Sequence, residues 1–247
     1  MKKFWLLPLV VVLIISLAWP STATQYAPPW AHNYGFNYTD YDSRTHATIA
    51  TDYQSIVGYD AYDLPDTSAY VGYTNIKDDA VVFIIAHGIA ANPPLDRGGG
   101  LVFYNGTRSY ILAKDNGPPY IVGDQYFLSS MSTELKDLLL AVYPSCYSAR
   151  TSPRFGNLVD MTHQKGADNV IGFSDTVYWI PLGYWSDRFW YRCLYGQGGS
   201  PLTIRDAAVW AKYDVLAMYG SFGGTNYVFG RYRIPHDYLD PARYGAV

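Results

Sequence analysis

The chain is short of cysteine and of charge. It has two cysteines in 247 residues, which rules out a disulfide-dense secreted scaffold. Charged residues make up 16% and the formal net charge is −3, so there is no basic footprint for nucleic acid. No glycine-rich loop carries the Lys-Ser/Thr that a phosphate cradle needs, since Gly98-Gly99-Gly100 stands without them. His32, His46, His163 and His236 lack metal-ligand spacing and read as surface or structural residues. Beyond the first 20 residues no apolar run is long enough to cross a membrane. No internal repeat or low-complexity stretch breaks the chain up.

What is present suits one large α/β domain. Nearly half the residues are hydrophobic, and aromatics reach 17%, with 25 tyrosines. The N-terminus has two lysines followed by an apolar stretch over residues 4–19, then small residues around Ala23. Its form is that of a secretory signal peptide, residues 1–23, cleaved after Ala23. An uncleaved anchor is the alternative, although the stretch is shorter than the ~20 residues that span a bilayer. Either way the domain is expected outside the cytoplasm, secreted or held at a membrane by this segment. Two sequons, at Asn37 and Asn105, are too short to weigh heavily.

Two runs put reactive side chains just past buried strands. Residues 80–88 read AVVFIIAHG and end in His87-Gly88; residues 138–146 read LLLAVYPSC and end in Cys146. Uninterrupted Val, Ile, Leu and Phe predict parallel strands covered on both faces. In open α/β sheets the ligand site lies beyond the carboxyl ends of the strands, so imidazole and thiol should share one rim. A thiol becomes a strong nucleophile when a base or cation supports its thiolate, and a neighbouring His can do so.

The rest of the pattern is consistent with alternating elements. Residues 24–42, rich in Tyr, Pro and Asn, read as an extended lead-in to a domain over 43–247. A helix is expected over 44–57 with Gly58 as its stop, strands over 59–63 and 80–86, and a poorly marked helix over 67–74. Asn105-Gly106 predicts a hairpin between strands 101–104 and 109–113. A weak helix is expected over 125–134, a strand over 137–143, a helix over 157–165 and a strand over 169–173. A helix follows over 181–194. Ser200-Pro201 signals another helix start, with the stripe Ile204, Ala208, Ala211, Val215 and Met218. Residues 225–233 read as a last edge strand. Cys193 falls on the helical stripe Leu182, Ser186, Phe189, Cys193 and reads as a core thiol, with a Cys146–Cys193 bridge as the alternative.

Strand-His-Gly followed some sixty residues later by strand-Cys resembles the caspase-like clan of cysteine peptidases. Residues 166–175 (GADNVIGFSD) look like that clan's next strand, and residues 189–211 are similar to the paired helices of its bacterial and archaeal members. The resemblance covers residues 43–233. Pro144-Ser145-Cys146-Tyr147-Ser148 stands where caspases carry Gln-Ala-Cys-Arg-Gly, which argues against a caspase proper.

The resemblance implies a three-layer α/β fold, a mainly parallel sheet with helices on both faces. It implies an endopeptidase that passes through a thioester, with His87 and Cys146 as the dyad and the N–H groups of Gly88 and Cys146 as the oxyanion hole. Ser174, Asp175 and Thr176 would line the specificity pocket, where an acid favours a basic P1 side chain. Partial desolvation of Asp175 by Tyr178 and Trp179 is expected to strengthen that preference. No cofactor is implied, and the expected partner is a peptide or protein substrate. Two other readings stand against this one. A Cys-based α/β-hydrolase would need glycines flanking the nucleophile, which are missing here. A catalytically silent surface or binding protein of the same fold would keep the elements and lose the reaction.

Overall fold

The computed structural model describes residues 29–90, 97–115, 121–132, 134–220, 229–232 and 238–239. The N-terminal apolar segment and its cleavage position lie outside the described residues. No helix among the described residues is long and apolar enough to cross a membrane.

Six strands form the main sheet. They are β1 (Trp30–Tyr34), β2 (Asp60–Asp63), β3 (Asp79–Ile84), β8 (Leu140–Tyr143), β9 (Asn169–Gly172) and β10 (Phe229–Tyr232). Their order is β10-β9-β8-β3-β1-β2, parallel except for β10 at one edge. A smaller sheet of β4 (His87–Gly88), β5 (Gly100–Tyr104), β6 (Arg108–Leu112) and β7 (Asp124–Phe127) packs beside it in that order. The helices are α1 (Arg44–Val57), α2 (Ala69–Asn75), α3 (Leu158–Gln164), α4 (Trp179–Tyr195) and α5 (Ile204–Tyr219).

Alternation along β3 shows how the layers form. Val81 and Phe83 face a core with Ala47 and Ala50 of α1, Leu182, Trp185 and Phe189 of α4, and Ala208 and Ala211 of α5. Val82 and Ile84 face the opposite core, with Ala69 of α2, Leu158 and Val159 of α3, and Leu101 and Phe103 of β5. Both faces of the strand are covered, which is why its sequence is continuously apolar. The fold is therefore a three-layer α/β fold around a mainly parallel sheet.

Several expected elements take a different form. The stretch expected as an extended lead-in contains β1, which lies between β2 and β3 and pairs with both. Its polar Asn33 is buried, but its side chain is paired with Gln54 and Thr51 of α1, so it does not prevent a central strand. The helix expected over 125–134 is instead β7 followed by a 3₁₀ turn at Leu128–Ser130, because Asp124–Phe127 adds to β6 in parallel register. The last long helix starts at Ile204, not at Ser200-Pro201. Thr203 caps it by accepting a hydrogen bond from the Asp206 N–H at 3.1 Å. Met218 is exposed, although the rest of its stripe is buried.

Candidate active site

Register brings the two reactive residues together. Phe83 of β3 faces Val142 of β8, and His87 and Cys146 each lie four residues beyond that pair. The Ala86 N–H donates to the Pro144 carbonyl at 3.3 Å, tying the two exits side by side. Gly88 then meets Cys146 so closely that a methyl group at Gly88 would overlap the Cys146 carbonyl oxygen. Only glycine permits this approach. Among the described residues no backbone carbonyl accepts from the Cys146 N–H, one of the two prospective oxyanion donors, which lies against its own sulfur.

His87 stands in an aromatic slot. Its ring centroid is 4.2 Å from that of Tyr38 and 4.6 Å from that of Trp179, the latter edge to face. The Tyr38 hydroxyl donates to the Val102 carbonyl at 2.5 Å and accepts from the His87 N–H at 3.3 Å, fixing the slot. Burial lowers the imidazole's pKa, and the Asp40 carboxylate partly offsets this. Asp40 lies 3.2 Å from His87 Nε2. Burial acts to raise the Asp40 pKa, but His87 and the Trp179 indole outweigh it and hold the carboxyl below its usual range. An ionised carboxylate only accepts, so Nε2 carries the proton and the neutral ring keeps its lone pair on Nδ1. Asp40 is the neighbour of His87 that the sequence did not reveal. It lies 47 positions before His87 in a tyrosine-rich stretch, and no local spacing marks it.

The thiol is held by backbone. Cys146 Sγ accepts from the Val177 N–H at 3.3 Å and donates to the Val177 carbonyl at 3.4 Å. Burial raises its pKa, the Val177 N–H opposes the rise, and the charge of Asp175 adds to it. Imidazole and thiol are not hydrogen-bonded to each other, and the resting pair is a neutral thiol beside a neutral imidazole. Tyr147, the next residue, has a positive φ of 62°, a conformation that costs a non-glycine residue energy and persists only where its surroundings hold it. Here its N–H donates to the Asp175 carbonyl at 3.1 Å, its hydroxyl meets Thr176, and the Arg97 and Arg150 guanidiniums lie over its ring. Gly98, at φ 99°, packs against the Tyr147 and Arg150 carbonyls. Gly98 thus supports the loop that follows Cys146.

Ser174, Asp175 and Thr176 lie on the thiol's side of the rim, as the Tyr147 contacts show. Asp175 is exposed, however, and its carboxylate accepts from the Thr176 N–H at 2.7 Å. Tyr178 is exposed and Trp179 is turned toward His87 and Tyr41, so neither desolvates Asp175 as expected. Cys193 is a buried thiol on α4, and both cysteines are free. Ser145 is fully buried, and its hydroxyl has no partner among the described residues. His32 and His46 are hydrogen-bonded to Asp79 and Asp187.

A cleft of about 880 Å³ opens beside His87. His87, Gly88, Asp40 and the β5–β6 hairpin line it, while Cys146 and the 174–176 loop do not.

Fold and site together define a three-layer α/β protein that carries a histidine and a cysteine on adjacent strand exits. Among solved structures this chain is similar to the Arg-specific cysteine proteinase gingipain R (RGPB), a peptidase of the caspase-like clan, with a TM-score of 0.54 and 8% sequence identity. The alignment covers 79% of this chain and 44% of that one, so the chain spans less than half the length of the proteinase. That likeness is one of fold. No family profile matches the chain, and no curated protein matches it.

Proposed function

We propose that the chain is an exported cysteine endopeptidase in which Cys146 and His87 form a dyad. The observation that supports this most is the abutment of Gly88 on Cys146, two strand exits joined where an acyl group would have to lie. In the reaction, the Cys146 proton passes to His87 Nδ1 and the sulfur attacks the peptide carbonyl carbon. The C–S bond forms, and the oxyanion takes hydrogen bonds from the N–H groups of Gly88 and Cys146. The C–N bond breaks as His87 returns the proton to the leaving amine. Water, deprotonated by His87, then hydrolyses the thioester and restores the thiol. Catalytic hydrogen bonds are often loose in a free enzyme, so the missing Cys–His bond does not oppose this reading. Asp40 keeps Nδ1 as the basic nitrogen.

The acyl side of the substrate would pass Ser174, Asp175 and Thr176. An exposed Asp175 selects a basic P1 residue only weakly, because exposed ion pairs contribute little. Arg or Lys at P1 should therefore be favoured several-fold, and Asp175→Asn should remove that preference. The thiol's engagement with Val177 favours a second reading, a binding protein of the same fold with a silent site.

A fluorogenic peptide panel on the domain beginning at Thr24 separates the two. Turnover that Cys146→Ala and His87→Ala each abolish supports the peptidase. No turnover on any substrate, with Cys146 as slow as Cys193 toward iodoacetamide, supports the silent protein. Sequencing the N-terminus of exported protein tests cleavage after Ala23.

A further inference from the structure

The cleft beside His87 defines a second half of the site, and this inference rests on the peptidase reading. His87 must hand its proton to the nitrogen of the departing amine. The fragment bearing that nitrogen therefore leaves on the imidazole's side, while the acyl fragment stays on the sulfur's side. The cleft is lined by His87 and Gly88, whereas Cys146 and the 174–176 loop do not line it. Its volume of about 880 Å³ is within the range of cavities that enclose whole ligands.

Its walls indicate what it takes. Val102, Tyr104, Tyr110, Ile121 and Val122 contribute an apolar, aromatic lining. Val122 is 92% exposed, a large apolar side chain held in solvent at the lip of a cavity. Two charged side chains reach the cleft, Asp40 and Arg108. Asp40 is engaged by His87. Arg108 has no carboxylate partner among the described residues; its guanidinium is bonded to the Tyr110 hydroxyl, and its charge is felt at His87. The cleft thus offers an apolar surface and, at its rim, the Arg108 guanidinium, which no carboxylate of the described residues engages, with the Asp40 carboxylate turned to His87.

We propose that this cleft binds the leaving fragment and is the main source of selectivity. It favours a large apolar or aromatic side chain immediately after the cleaved bond, followed by a carboxylate that meets Arg108. The carboxylate is either an Asp or Glu side chain or a free chain terminus. Selection would then act on both sides of the bond, weakly through charge at Asp175 and at the exposed Arg108, and mainly through the apolar wall of this cleft.

Internally quenched peptides with one fixed acyl half test this on the whole chain. The leaving halves are Phe-Glu, Phe-Gln, Gly-Glu and Gly-Gln as terminal amides, with Phe-Gln also as the free acid to separate the two carboxylate sources. A coumarin amide of the same acyl half, which lacks a peptide leaving group, serves as reference. Phe-Glu should exceed Gly-Gln by at least thirtyfold in kcat/KM, with about tenfold from the phenyl group and about threefold from the carboxylate that meets the exposed Arg108. Arg108→Glu should invert the Glu preference in favour of Lys at that position, a reversal that a misfolded variant cannot produce. Equal rates across the leaving halves, with the coumarin amide still cleaved, would overturn the cleft assignment and leave the peptidase reading intact. A labelled Phe-Glu fragment with a free amine completes the test by fluorescence anisotropy on Cys146→Ala. Binding that Arg108→Glu abolishes, with no turnover of any substrate, would keep the cleft and sink the peptidase. Neither binding nor turnover would sink both.

Discussion

Two histidine–aspartate pairs sit toward opposite edges of the same parallel sheet. Near the amino edge, His32 of β1 meets Asp79, the first residue of β3, at 2.5 Å. Beyond the carboxyl edge, His87 meets Asp40 at 3.2 Å. The side chains of the first pair are 14% and 0% exposed, those of the second 34% and 57%. The consequences run in opposite directions. Burial raises the Asp79 carboxyl to about 6 despite its histidine partner. Burial is too slight at Asp40 to overcome its partner, and that carboxyl stays below its usual range. The same two side chains therefore make a closed structural clasp at one edge and an open, charged orienting contact at the other. Solvent access, and not the residue types, separates the two roles.

The largest expected effect is on catalysis at the carboxyl edge. Gly88→Ala should lower kcat by a factor of about 10²–10³, since a methyl group there displaces the Cys146 carbonyl and misaligns the oxyanion donors. Single-turnover acylation measures it, and a Gly88→Ala variant with normal turnover would detach that contact from function. Next comes the contrast between the two aspartates. Asp79→Ala leaves His32 beside a buried void and should cost about 3–5 kcal/mol of stability by urea denaturation. Asp40→Ala should cost less than about 1 kcal/mol, as exposed pairs do, yet lower kcat/KM tenfold or more. Similar stability losses from the two variants would collapse the distinction between clasp and orienter.

The pH profile sharpens the same contrast. Catalysis needs a neutral His87, and burial already lowers that imidazole's pKa, with Asp40 opposing. The acid limb of kcat/KM should therefore lie below pH 6.5. Asp40→Asn removes the opposing charge, so the imidazole pKa falls further and the limb moves to lower pH. At the amino edge the sign concerns stability. Asp79 in the folded chain holds its proton up to about pH 6, whereas the unfolded chain releases it near 3.8. The folded state binds the extra proton between those values, so this contribution is greatest below about pH 4 and is lost as pH rises through 6. Asp79→Asn should flatten that part of the stability profile.

Much of the scaffold was legible because burial leaves a plain record. Continuous apolar runs marked β3 and β8, and Gly58, Asn105-Gly106 and Gly166 punctuated the elements they end. His87, Gly88 and Cys146 could be chosen because each lies where such a run stops. What escaped was carried by polar residues whose partners are distant in sequence. Asn33 makes β1 look like a loop until Gln54 is seen against it, and Asp40 looks like one of several loop acids until the fold returns His87 to it. β7 was misread because Asp124–Phe127 has no apolar face of its own and is defined by addition to β6. The cleft is equally invisible in one dimension, since its walls come from four separate segments.

The smallest effect concerns one oxygen atom at each edge. Asp79 Oδ2 and Ser145 Oγ are both buried without a hydrogen-bond partner among the described residues. The Asp79 oxygen can be relieved by taking up a proton, which is what its raised pKa expresses. A serine hydroxyl has no such outlet, so it bears the cost of desolvation, about 1–3 kcal/mol for an unsatisfied group. A methyl group at Gly88 would lie 3.0 Å from Ser145 Oγ, so the hydroxyl stands close to the contact of Gly88 with Cys146. Ser145→Ala should therefore raise stability by about 1 kcal/mol while lowering kcat a few-fold, if the hydroxyl is kept for a bound substrate. Thermal unfolding and kcat on the same preparation check both halves. A gain in stability with unchanged kcat would make Ser145 an uncompensated packing residue. No gain at all would mean that the hydroxyl is already satisfied, and the parallel with Asp79 would end there.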